Sequence, residues 1–277
     1  LPHEVQIMRV GPRKKIPHGV WATLLPRRIL RTFDVVITQN FTPLLSPAKT
    51  VSATFIHDVL YIARPDWFTL PERAYLHLAT LGARRSQLLF TSSGSEAARI
   101  RRTWPRVAPR VHEIGLAVPF GIARALPTAP AEPPRRPFLL TVGRLNVRKN
   151  LERLISAYSI SGVRDHADLL IVGVPDGRPS TTNTALPDSV SFTGAVSDAE
   201  LAWYYERCAL FVFPSLDEGF GLPLLEAKHF DARVAASDIG PFREMGLADV
   251  LFDPTSTTGI KTALESLYFS SSNLASP

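Results

Sequence analysis

The chain has one cysteine, Cys208, among 277 residues. That count rules out an intrachain disulfide framework and a cysteine metal cluster, and it fits a reducing cytoplasm. Cys208 closes a helix-like stretch ahead of an apolar strand, where a small buried residue is expected. No apolar run reaches the roughly 20 residues that a membrane-crossing helix needs, because charges or prolines interrupt every candidate. The first residues, Leu1-Pro2-His3-Glu4, show neither an initiator Met nor the basic-then-apolar layout of a secretion signal. Zinc-finger spacing and aromatic-rich RNA-binding signatures are also missing, so nucleic acid is not an expected partner. No cluster of His, Cys, Asp and Glu has metal-ligand spacing, and no cofactor lysine is evident. Neither a metal nor a bound cofactor is therefore expected.

What is present argues for a globular protein with room for two domains. The hydrophobic fraction is 45% and several apolar runs occur. The formal charge of +6 hides an asymmetry: residues 1–136 carry a net +12 and residues 137–277 a net −6. A basic half of this kind suits contact with an anionic membrane surface, consistent with a peripheral place at the inner membrane face. The halves meet at Ala125–Pro137, where five prolines in thirteen residues preclude a helix or central strand. The boundaries read as a first domain over 1–124, a semi-rigid linker over 125–136 and a second domain over 137–277.

Before the linker, Phe33–Thr38, Val51–Ile56, Gln87–Thr91 and Val111–Ile114 read as short strands. Pro71–Arg85 has helical spacing, and the serines of Ser92-Ser93-Gly94-Ser95 resemble an N-cap for a helix over Glu96–Arg102. After the linker, strands over Phe138–Gly143, Asp168–Gly173, Val190–Gly194, Ala209–Phe213, Ala232–Ser237 and Val250–Phe252 alternate with helices. Those helices cover Asn150–Ser159, Asp198–Cys208, the stretch from Pro223 onward and Thr258–Tyr268, and the tail Ser270–Pro277 reads as unstructured. Such alternation predicts a parallel doubly wound sheet on each side of the linker.

The most informative stretch is Pro214-Ser215-Leu216-Asp217-Glu218-Gly219-Phe220-Gly221-Leu222-Pro223-Leu224-Leu225-Glu226. Two carboxylates eight positions apart flank a glycine turn between a buried strand and a helix start. Open α/β sheets bind ligands at that edge, where glycines admit a ligand to the backbone and helix N–H groups attract anions.

With these residues in view, the second half resembles the donor domain of retaining GT-B glycosyltransferases, specifically glycosyltransferase family 4 (group 1). Thr141-Val142-Gly143-Arg144-Leu145, Arg148-Lys149-Asn150, Ile171-Val172-Gly173, Val190–Gly194, Phe213–Ala227, Ser237–Glu244 and Leu251–Pro254 carry the resemblance. In the first half, Ile56-His57-Asp58, Pro65-Asp66-Trp67 and Thr91-Ser92-Ser93 resemble the acceptor domain. The resemblance implies two Rossmann-like domains facing across a cleft, the first incomplete, since the glycine-rich opening loop of the family does not precede Phe33. The family's helix crossing back to the first domain is not found before Pro277. The loop Lys228–Arg233 also departs from the family's small residues, glycine and proline.

The implied activity is retaining, metal-independent transfer of a hexose, mannose by preference, from a nucleoside-diphosphate sugar to a lipid-linked or polysaccharide acceptor. Arg144 and Lys149 would stabilise the leaving diphosphate, helped by the amides of Gly219, Phe220, Gly221 and Leu222. Glu226 would accept from the ribose hydroxyls, Glu218 would face the hexose, and Gly143 and Gly194 would line the donor site. His57 would approach the anomeric centre from the other domain through its carbonyl or imidazole. No nucleophile is assigned, because front-face substitution needs none. Serines 92, 93 and 95 read as caps and Trp67 as packing. A competing reading is a non-catalytic GT-B remnant that binds nucleotide or a partner without turnover.

Overall fold

The computed structural model describes residues 27–45, 47, 49–175 and 186–272. They form two all-parallel sheets with helices in the crossovers.

The first sheet contains β1 (Val35–Gln39), β2 (Val51–Phe55), β3 (Leu88–Thr91) and β4 (Val111–Glu113), in that spatial order. After a short helix α1 (Arg27–Leu30), the crossovers hold α2 (Leu60–Ala63), α3 (Leu70–Leu81) and α4 (Gly94–Thr103). α3 starts with a capping box, in which Thr69 and Glu72 each satisfy the other's backbone N–H. Gly82 then ends it, and Ala83–Arg85 forms a separate 3₁₀ turn, shortening the expected helix. α4 starts at Gly94, two residues earlier than expected, because Ser93 is its N-cap and accepts from the Glu96 amide. The core of this half packs Ile56, Val59, Tyr61, Leu89, Ile100 and Trp104.

The second sheet has the order β10-β9-β8-β5-β6-β7. Its strands are β5 (Phe138–Val142), β6 (Asp168–Val172), β7 (Val190–Gly194), β8 (Leu210–Phe213), β9 (Val234–Ser237) and β10 (Val250–Phe252). The chain moves outward from β5 to β7, returns to pair β8 with β5, then moves the other way. This reversal is the doubly wound switch point, where a crevice opens at the strands' carboxyl ends. Among the described residues the first sheet is wound in one direction and has no such switch.

Helices α6 (Leu151–Ser159), α7 (Asp198–Arg207), α8 (Leu222–His229), α9 (Gly240–Met245) and α10 (Thr257–Ser272) cover the second sheet. Apolar clusters on its two faces centre on Leu139, Leu169 and Val212, and on Leu140, Phe211 and Phe213. β9 begins at Val234 rather than Ala232, since Ala232 still donates to Ala227 and Asp231 turns at φ 57°. α10 runs past the expected end at Tyr268, because Ser270 bonds Leu267 and accepts from Arg233. Residues 273–277 lie outside the described residues.

The proline-rich Ala125–Pro137 contains neither helix nor strand, and the Thr128 amide donates to Ala199 O at 3.0 Å. Just before it, α5 (Phe120–Ala123) lies against α7 and α8. Among the described residues no helix is long and apolar enough to cross a membrane.

Candidate active site

The site grows from the strand ends at the switch point. β5 leads into Gly143 at φ 152° and β6 into Gly173 at φ 146°. A Cβ on Gly173 would stand 1.8 Å from the Gly143 carbonyl, and one on Gly143 would stand 2.8 Å from Lys149 Cε. Only glycine allows these two ends to approach so closely. The chain then makes a 3₁₀ turn over Val147–Lys149 and reaches Asn150 in the left-handed region, at φ 55°. Asn150 Nδ2 donates to Pro214 O at 3.0 Å and Pro254 O at 2.8 Å, tying three strand-end loops together.

That turn points Lys149 inward. Its ammonium lies 4.5 Å from the centre of the Phe213 ring and donates to Glu218 Oε1 at 2.7 Å. The other Glu218 oxygen faces Arg148 Nη1 at 3.3 Å, and the same Arg148 atom lies 3.7 Å from Asp58 Oδ2 across the domain boundary. Burial alone would raise the Glu218 pKa, but Lys149 and Arg148 outweigh it and hold the carboxyl at about 2. Burial lowers the Lys149 pKa, and the Glu218 carboxylate opposes that. Glu218, expected to face a hexose, is seen here paired with the cation beneath the cleft.

The remaining predicted residues take distinct places. Gly221, at φ 111°, is the N-cap of α8, and a Cβ there would lie 2.4 Å from the Phe242 ring. Phe220 precedes it half-buried, and Leu222 opens the helix. Glu226 lies one turn further along α8 and accepts from Tyr205 Oη at 2.9 Å. Burial raises its pKa, with the Tyr205 bond acting against that. Gly194 ends β7 at φ 75°, with open space where a side chain would stand.

Gly219 is wedged between the domains. A Cβ on it would lie 2.5 Å from the His57 carbonyl, and its own carbonyl accepts from Ser93 Oγ at 2.7 Å and Ser92 Oγ at 3.3 Å. His57 therefore turns its carbonyl toward the glycine loop. Its amide donates to Asn40 Oδ1 at 3.2 Å, and its Nε2 meets the Gln39 side-chain amide. Burial lowers the His57 pKa and so favours the neutral ring, with the Asp58 carboxylate partly opposing it. Arg144, Arg148, His57, Asp58, Trp67 and Tyr75 line a cleft of about 360 Å³. Trp67, expected to serve as packing, stands in this wall with Arg64 5.2 Å from its ring centre.

Sequence reasoning missed a second crossing between the domains. Buried Glu96 accepts from the Val59 amide at 2.8 Å and pairs with Arg99. Arg99 in turn donates to Asp217 Oδ1 at 2.6 Å, and that oxygen accepts the Glu218 amide at 2.8 Å. One guanidinium thus links the loop carrying His57 to the loop carrying Glu218. The serines play two parts: Ser93 caps α4 and crosses to Gly219, while Ser95 bonds Glu244. The N-cap pattern was legible, but nothing local announced the partners more than a hundred residues away.

A sequence model of the family described as "Glycosyl transferases group 1" matches residues 124–273. The chain belongs to that family. The matched stretch holds every second-half residue of the site, while His57, Ser93 and Arg99 lie before it. Relatives of this group 1 chain include the serotype-specific mannosyltransferase WbdA of Escherichia coli. It is 35% identical over 138 residues, covering 46% of this chain and 17% of WbdA. A GDP-mannose-dependent alpha-mannosyltransferase of Mycolicibacterium smegmatis is 35% identical over 144 residues, which are 50% of this chain and 36% of that protein. The chain therefore spans well under half the length of these two relatives.

Among solved structures, sucrose-phosphate synthase from Thermosynechococcus elongatus superposes with a TM-score of 0.65 at 20% identity. That match covers 93% of this chain and 72% of the synthase. Anabaena HepE in complex with UDP-glucose gives 0.63 at 16% identity, covering 88% and 72%. These likenesses establish the two-domain fold of parallel sheets and no more.

Proposed function

We propose that this chain catalyses glycosyl transfer with retention, moving a hexose from a nucleoside-diphosphate sugar to a glycan or lipid-linked acceptor. The observation that carries this reading is the buried Lys149–Glu218–Arg148 cluster at the switch point, facing His57 and Asp58 across the cleft. A departing nucleoside diphosphate gains negative charge as the glycosidic bond breaks. Arg144, Arg148 and Lys149 supply fixed positive charge there, and the start of α8 adds the positive end of a helix dipole. These cations take the role that a metal would otherwise fill, so no metal or cofactor enters the proposal. Glu226, oriented by Tyr205, receives the ribose hydroxyls, while Gly194 leaves room for the base.

Glu218 and Glu226 are not an acid–nucleophile pair in this scheme. Both Glu218 oxygens are engaged by Lys149 and Arg148, and Glu226 is bonded to Tyr205 a helical turn away, so neither is offered as an attacking group. The acceptor hydroxyl instead attacks the anomeric carbon from the face the leaving group occupies, on the cleft side of His57. As the bond to the diphosphate breaks, the departing phosphate oxygen takes the hydroxyl proton. Mannose from GDP-mannose is the preferred donor, because the relatives named above are mannosyltransferases. The acceptor enters from the first-half wall of the cleft, and the protein works peripherally at the inner membrane face.

The test is release of nucleoside diphosphate from a panel of GDP-, UDP- and ADP-sugars with oligosaccharide and lipid-linked acceptors. The proposal expects release with one donor and an α-linked product by NMR. No release with any donor, with nucleotide binding intact by calorimetry, would instead establish the non-catalytic reading.

A further inference from the structure

The two walls of the cleft carry charge opposite to that of the halves that supply them. The first half is net +12 and the second net −6. Yet among the described residues the first half lines the cleft with Asp58, Glu72 and several aromatic rings, and with no lysine or arginine. The cations there, Arg144 and Arg148, come from the second half. Arg64 is stacked 5.2 Å from the centre of the Trp67 ring and does not line the cleft itself.

The polar groups around this space are short of donors. Asp58 and Glu72 offer carboxylate oxygens, and Glu72 Oε2 accepts from the Thr69 amide and hydroxyl at 2.7 Å each. Asn146 lines the same cleft, and its Oδ1 is buried with no hydrogen-bond partner among the described residues. A buried acceptor of this kind calls for a donor from a ligand. A sugar hydroxyl supplies one, whereas a phosphate or carboxylate brings more acceptor oxygens and like charge.

The aromatic part of the wall suits the rest of such a molecule. Trp67 is half-buried, and Tyr75 is 46% exposed with Phe41 edge-on to it at 5.2 Å. The face of an aromatic ring is electron-rich, and the C–H groups on one face of a pyranose are weakly positive. The two attract as they shed water.

We propose that the acceptor group entering this cleft is an uncharged pyranose, with a C–H face stacked on Trp67 and hydroxyls donated toward Asp58 and Asn146. Trp67 is then an acceptor-specificity residue. The inference deepens the transfer reaction proposed above and rests on it: it selects a neutral sugar over a phosphorylated or otherwise anionic acceptor group. An uncharged acceptor also leaves Arg144 and Arg148 to the donor diphosphate, for which a second anion would compete.

Saturation-transfer NMR tests the proposal without turnover. The probes are methyl α-mannopyranoside, methyl α-glucopyranoside and mannose 6-phosphate, each with and without GDP. The expected result is saturation of the ring C–H protons of at least one methyl pyranoside, with mannose 6-phosphate bound at least about tenfold more weakly. Trp67→Ala should weaken the pyranoside about tenfold, and Trp67→Phe should restore most of that loss. Nucleotide affinity and thermal unfolding of both variants should match the parent, which would show them folded with the donor site intact. In transfer assays Trp67→Ala should raise the acceptor KM and leave kcat and the donor KM unchanged. Sugar binding without any transfer would count against the proposed reaction and not against the ligand of this cleft. Mannose 6-phosphate bound as tightly as the methyl pyranosides would overturn the inference. So would undiminished binding to Trp67→Ala, or no pyranoside binding with GDP present or absent.

Discussion

The two halves are built from the same parallel strands, but they bury them to different depths and use their ends differently. β8 and β9 are buried at every position, whereas edge strand β1 alternates and leaves Val35 and Ile37 52% and 71% exposed. The second sheet reverses at β5/β8 and concentrates glycines and charge at that point. The first sheet, among the described residues, has no reversal, and its half meets the second through the His57 carbonyl, the Asp58 carboxylate, serine hydroxyls and the Arg99 guanidinium. The difference teaches a division of labour. Under the proposed function, the second half carries the charges that a nucleotide sugar requires, and the first half closes over them and sets their distance from the acceptor.

The strongest way to break this division is to remove charge from the second half. Lys149→Ala leaves Glu218 buried with only the longer Arg148 contact, and should cost about 3–5 kcal/mol in stability. Chemical denaturation measures it. Lys149→Met combined with Glu218→Gln should recover most of that loss but not transfer, which would separate folding from chemistry.

Next comes the clamp from the first half. Arg99→Met leaves Glu96 and Asp217 without their shared cation, and should cost about 2–4 kcal/mol while opening the cleft. Small-angle scattering reads the opening. Nucleotide affinity, a second-half property, should change little while kcat falls.

Gly219→Ala sharpens the same point with one methyl group. The new Cβ would meet the His57 carbonyl at 2.5 Å, so the halves must shift, at about 1–3 kcal/mol. Activity should fall while the thermal transition of the second half stays in place.

The last effect is one of pH. Burial raises the Glu96 pKa to about 7, with Arg99 opposing, against an ordinary value near 4.5. Folding therefore takes up a proton at this site, and stability falls as pH rises from about 4.5 to about 7. Glu218 behaves oppositely: its contribution is present above about 4.5 and is lost as pH falls toward 2. Glu96→Gln should flatten the upper slope in pH-dependent melting and leave the acid limb unchanged.

Legibility in the sequence followed the same division. Strand positions were readable because apolar runs such as Leu139-Leu140 and Phe211-Val212-Phe213 are bounded by glycine, proline and charge. Gly143, Lys149, Glu218 and Gly219 share one neighbourhood because they lie at the ends of adjacent strands, where chain order and sheet topology bring them together. Arg99 and Asp217 were not readable as partners. Each is an ordinary helix or loop charge until two domains are docked, and docking depends on surface shape rather than period. Ser93 was half readable, as a cap.

The central claim is that the second-half cations hold the nucleoside diphosphate, and calorimetric titration tests it most directly. GDP, UDP and ADP would be titrated into the parent chain and into Arg144→Ala, a variant that leaves the buried Lys149–Glu218 pair intact. Saturable, enthalpic binding of one nucleotide to the parent is expected, weakened at least about tenfold in the variant by the lost charged contact. Equal affinity in the two proteins, or no binding of any nucleotide to the folded parent, would contradict it.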